Sequence, residues 1–134
     1  MVELKPVDFQ FTVLIADDEP LIRMAFAEYL TDCGYLPVPV RSGDEAVEML
    51  EKNLAIDIVL SDVRMPGKRD GFAVARWMAE HRPHIPVILV TGDAISRGTP
   101  PDLAGIVMLQ KPVEMAVIAQ RIRYALTKPL QQAV

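Results

Sequence analysis

The sequence predicts an α/β fold built on a parallel sheet with helices on both faces. Five short apolar runs alternate with helical stretches along the 134 residues, the pattern of strand–helix–strand units. Most of these runs are rich in Val, Ile and Leu without polar alternation, as in strands buried on both faces. Each ends at a polar residue or a turn signal. Right-handed crossovers then bring all the ends to one edge of the sheet.

Phe11 to Ala16 reads as the first strand and ends in Asp17-Asp18-Glu19. Pro20 suits the first helical turn, where its missing N–H is harmless. Ile22, Ala25, Phe26, Tyr29, Leu30 and Cys33 recur at helical spacing, and Gly34 stops the helix. Leu36 to Val40 is a second strand. Pro37 and Pro39 cannot donate to a ladder, which places it at an edge. Ser42-Gly43-Asp44-Glu45 is a capping box for a helix to about Asn53. The central strand lies in the run from Ile56 and ends at Asp62, and Asp57 reads as a strand-start residue. A helix runs from Gly71 or Phe72 to about Arg82, closed by Pro83 and Pro86. Pro86 to Val90 is strand-like and leads to Thr91-Gly92-Asp93. Between Ala94 and Gly105, Gly98, Pro100 and Pro101 leave room for at most a short helical turn, since proline costs about 3 kcal/mol inside a helix. Ile106 to Leu109 is the last strand, ended by Gln110-Lys111-Pro112. A closing helix spans Val113 to Leu126.

The length suits one domain. The expected layout is a tail over 1–10, a domain over 11–127 and a tail over 128–134. Net charge is −4, which argues against general nucleic-acid binding. The single cysteine, Cys33, excludes an internal disulfide, fits a reducing compartment and reads as a packing residue. No apolar run approaches the roughly 18 residues of a membrane span. Met1 to Gln10 lacks a signal-peptide apolar core. The expected location is the cytoplasm.

Asp17, Asp18, Asp62, Thr91 and Lys111 all follow strand-like runs, so the topology gathers them at one rim. Singly, each has an ordinary structural reading: acids cap helices, and Lys-Pro marks a turn. Together they have a chemical one. Carboxylates 4 Å apart repel by roughly 4 kcal/mol per pair at an effective dielectric near 20. One lysine cannot neutralise three acids, but a hard divalent cation can. Oxygen donors in small number suit Mg²⁺. Asp18 and Asp62 are the expected direct ligands, with Asp17 acting through water. A carboxylate beside a cation and an ammonium is also a candidate nucleophile toward phosphorus. Lys111 and Thr91 then hold the phosphoryl oxygens.

The Asp17-Asp18 pair, Asp62 in Asp-Val-Arg-Met-Pro-Gly, Asp70-Gly71, Thr91 and Lys111-Pro112 resemble the receiver domain of two-component response regulators. The resemblance spans roughly Phe11 to Thr127. It implies a flavodoxin-like doubly wound (βα)5 fold with a five-stranded parallel sheet in the order 2-1-3-4-5. It implies that Asp62 accepts a phosphoryl group from a histidine kinase or a histidine phosphotransfer protein. Mg²⁺ is then held by Asp18, Asp62 and the backbone carbonyl of Arg64, with Asp17 helping. A cis peptide before Pro112 is implied as well. The domain signals to a downstream protein by conformational change, and catalyses only its own phosphorylation and dephosphorylation. It either stands alone or belongs to a larger regulator or hybrid kinase. The alternative is a receiver-like interaction module that is never phosphorylated.

Three departures from the family pattern stand out. Met108 occupies the place of the aromatic residue that partners the threonine as a switch, and its other reading is core filler. Lys68-Arg69 lengthens the loop before Asp70-Gly71, as solvated charges or as a contact for an acidic phosphodonor surface. The segment for a fourth helix is weak, so no dimer is expected through a regular version of the face it helps to form. Arg64 and Asp93, each two residues past a site residue, are expected to pair over the phosphoryl group and prolong its lifetime.

Overall fold

The computed structural model describes residues 10–52, 55–92 and 99–127. Five strands, β1 (Thr12–Ala16), β2 (Leu36–Val40), β3 (Ile58–Asp62), β4 (Val87–Thr91) and β5 (Val107–Gln110), form one sheet. Their order is β2-β1-β3-β4-β5, and every pair is parallel. The described helices are α1 (Pro20–Asp32), α2 (Gly43–Lys52), α3 (Gly71–His81) and α4 (Met115–Thr127).

The two faces of the sheet follow the parity of the strand residues. Leu14 and Ala16 of β1 pack with Val47 and Leu50 of α2 and with Val74 and Met78 of α3. Val13 and Ile15 point the other way, into a layer with Phe26 and Leu30 of α1 and Ile118 and Ile122 of α4. Burying one such side chain contributes about 1.5–3 kcal/mol, so both layers hold the sheet. The prolines Pro37 and Pro39 lie on β2, which has a single neighbour in the sheet.

Several local expectations shift. The first strand begins at Thr12, and Phe11 is exposed. Cys33, read as a packing residue, is exposed. The buried stripe of α1 ends at Leu30, and Tyr35 takes up the packing beyond it. The box before α2 is half made. Ser42 Oγ accepts the Glu45 N–H at 3.1 Å, but the Glu45 carboxylate turns back to the Arg41 N–H at 2.6 Å. Asp57 accepts the Thr12 N–H at 2.8 Å and ties the starts of β1 and β3 together, at the rim away from Asp62. Between β4 and β5 the described residues hold one 3-10 turn, Pro101–Leu103. Residues 94–98 of the expected weak segment lie outside the described residues, as do residues 1–9 of the expected tail over 1–10 and the whole expected tail over 128–134.

Candidate functional site

The site grows from three strand ends. β1 finishes at Ala16, and the chain turns through Asp17 and Asp18 into α1. Asp17 is buried, and its Oδ1 accepts the Glu19 N–H at 2.9 Å, which fixes the carboxylate. Its carbonyl accepts from Arg23 Nη1 at 2.8 Å, which ties the turn to the helix. Asp18 is exposed. β3 ends at Asp62, which is 8% exposed. β4 ends at the buried Thr91, whose carbonyl accepts the Lys111 N–H at 2.8 Å. That bond carries the β4–β5 register one step past Gln110 and sets Lys111 beside the acids. The Lys111–Pro112 peptide is cis.

Lys111 Nζ lies 3.4 Å from Asp62 Oδ2, 3.7 Å from Asp17 Oδ2 and 3.9 Å from Glu19 Oε1. Asp17, Asp18 and Asp62 each offer a carboxylate oxygen within 4.8 Å of the others. The electrostatics follow from crowding. Burial pushes the Asp62 carboxyl above its ordinary value of 3.8; Lys111 pulls it back, while Asp17 and Asp18 push it further up. Asp17 is raised by the same desolvation, against the Glu19 N–H and Lys111.

The fold packs backbone against backbone beneath Asp62. Gly71, the first residue of α3, donates its N–H to the Val63 carbonyl at 2.7 Å. A Cβ on Gly71 would overlap the Asp62 carbonyl, so only glycine fits there. Asp70 caps α3 by accepting the Ala73 N–H at 2.9 Å.

The expected site residues Asp17, Asp18, Asp62 and Lys111 thus come together, and Thr91 stands at the adjoining strand end. Arg64 is exposed at the start of the loop after β3. Asp93, its expected partner, lies outside the described residues. Met108 is half-buried on β5, against a cluster of Val63, Ala75, Leu89 and Leu103. Of the two loop charges, Arg69 is engaged, with its Nη1 3.4 Å from Asp44 Oδ1. His81 stacks on Trp77 at the far end of α3, with ring centroids 4.5 Å apart. Sequence reasoning gave no role to Glu19 or Arg23. Their spacing from Asp17 is that of any first helical turn, so the sequence carries no signal for them.

An acidic, lysine-closed pocket at the C-terminal rim of a 2-1-3-4-5 sheet defines a class of signalling domain. The chain belongs to the response regulator receiver domain family, which it matches over residues 13–123. It is 36% identical over 121 residues to the sensor kinase CckA of Brucella abortus, a match covering 87% of this chain and 13% of the kinase. The chain therefore spans only a small part of the curated relatives it matches first. Among solved structures it resembles a response regulator receiver protein from Sinorhizobium medicae, with a TM-score of 0.79 and 34% identity, covering 90% of this chain and 97% of that one. It also resembles the response regulator TrrA of Thermotoga maritima, solved in complex with Mg(2+)-BeF, with a TM-score of 0.78 and 25% identity over 87% of this chain and 99% of that one. Among the described residues no helix is long and apolar enough to cross a membrane.

Proposed function

We propose that Asp62 is a phosphoacceptor, charged by a phosphohistidine of a histidine kinase or histidine phosphotransfer protein. One observation carries this reading: three acids share a space of 4.8 Å, with Lys111 Nζ 3.4 Å from Asp62 Oδ2. An Asp62 oxygen attacks phosphorus, the bond from phosphorus to the donor nitrogen breaks, and the imidazole leaves with the electron pair. Lys111 favours the ionised nucleophile and then binds the phosphoryl oxygens together with Thr91.

The donor set fits a hard divalent cation. It consists of oxygen atoms only, one of its members is exposed to solvent, and one lysine leaves it negatively charged. Asp18, Asp62 and the Arg64 backbone carbonyl are the residues to hold Mg²⁺, with Asp17 acting through water. When bound, the ion neutralises charge on the phosphoryl oxygens. The Mg(2+)-BeF complex of the related Thermotoga regulator supports this choice. Arg64 and Asp93 are the residues assigned to screening attacking water and prolonging the phosphorylated state. Thr91 and Met108 relay the change to the surface. The chain acts in the cytoplasm on a protein target, its charge of −4 opposing nucleic-acid phosphates. Its only catalysis is on itself.

Intact-mass spectrometry after treatment with acetyl phosphate and Mg²⁺ tests the reading. One phosphoryl adduct is expected, absent in Asp62→Ala and absent with EDTA. An unmodified wild-type protein would instead favour an interaction module that is never phosphorylated.

A further inference from the structure

The loop after β3 carries Arg64 and the two basic residues Lys68 and Arg69, and the structure shows what restrains it. Asp44, in the first turn of α2, accepts the Lys68 backbone N–H on Oδ2 at 3.1 Å. Its other oxygen, Oδ1, faces Arg69 Nη1 at 3.4 Å. Next to it, Gly43 lies so close to the Arg69 carbonyl that a Cβ has no room. Asp18, Pro66 and Asp44 line one groove. The loop is thus strapped to α2 on the side where the acids open to solvent, and its other end is pinned by Gly71 and the Asp70 cap.

We propose that Asp44 is a positioning residue for the metal site. It holds Lys68 and Arg69 against α2, and so restrains the loop that carries the Arg64 carbonyl. This rests on the reading that Arg64 supplies a backbone ligand to Mg²⁺. Partners that orient metal ligands commonly govern affinity by about tenfold or more. A floppy loop would have to be ordered each time the ion binds, and the strap removes that step.

The test compares wild type, Asp44→Ala and Asp44→Asn by Mg²⁺ calorimetry, and by hydrogen exchange at the Lys68 amide in EDTA. Asp44→Ala is expected to bind Mg²⁺ about tenfold more weakly and to expose the Lys68 amide to faster exchange. Asp44→Asn keeps an acceptor for that amide, so its affinity and exchange stay within about twofold of wild type. Equal weakening in both variants would show that Asp44 acts only through its charge and would overturn the proposal. Unchanged Mg²⁺ affinity in Asp44→Ala, with faster exchange at Lys68, would overturn it too, while leaving the metal reading intact. No Mg²⁺ binding by wild type would overturn the metal reading, and this inference with it.

Discussion

Lys111 has one charge to offer and three carboxylates within 4 Å, those of Asp17, Glu19 and Asp62. The shortfall has a consequence for stability. Burial raises Asp62 and Asp17 above 3.8, so the folded chain holds those protons more tightly than the unfolded chain does. Stability contributed by the protonated acids is present below pH 3.8. It is lost as pH rises through the raised values. Without metal, wild type should therefore lose stability relative to Asp62→Asn as pH rises from about 4 to 7. The gap in melting temperature should widen across that range, read by thermal denaturation in EDTA. With Mg²⁺ the order should reverse, because only wild type keeps the ligand. A constant gap across that range would mean that Asp62 is not strained by its neighbours. The individual acids were legible from the sequence because each follows an apolar run. The Glu19 contact was not, since its geometry depends on how Lys111 returns across the sheet.

At the scale of elements, the end of β3 and the start of α3 meet through backbone. The Gly71 N–H reaches Val63, and its Cα sits against the Asp62 carbonyl. Gly71→Ala must push the strand end and the helix start apart. We expect a loss of about 1–3 kcal/mol, the usual range for overpacking, read by urea denaturation. Mg²⁺ affinity should fall with it, because the displaced segment carries Asp62 and leads to Arg64. A variant as stable as wild type would show that the segment moves freely. Sequence reasoning found the helix start at Gly71 or Phe72 and Asp70-Gly71 as part of the family pattern. It assigned Lys68 and Arg69 to solvent or to a partner, whereas Arg69 turns to Asp44. Two charges 25 residues apart carry no periodicity that would reveal their pairing. Cys33 misled for a related reason. Helical spacing marks a stripe, and where the stripe stops is decided by what lies opposite it.

At the scale of the whole molecule, the sheet order and the two apolar layers put every strand end that matters at one rim. Among the described residues the β4–β5 connection holds a single 3-10 turn, tied to α3 by Arg76 Nε, 2.7 Å from Asp102 Oδ2. We expect the protein to remain monomeric with Mg²⁺ and beryllofluoride, as judged by size-exclusion chromatography with light scattering. A dimer that forms only with beryllofluoride would overturn this expectation.

The sequence by itself determined the alternation of strands and helices, the edge position of the proline-bearing strand, and the gathering of Asp17, Asp18, Asp62, Thr91 and Lys111. These follow from local periodicity, from proline chemistry and from the handedness of crossovers, all of which act over short stretches of chain. Only the tertiary structure decided how Lys111 divides its charge, how Asp44 holds the loop, and where glycine alone fits against a carbonyl. Those are distances between segments remote in sequence. They are set by packing the two layers together, and no single stretch contains them.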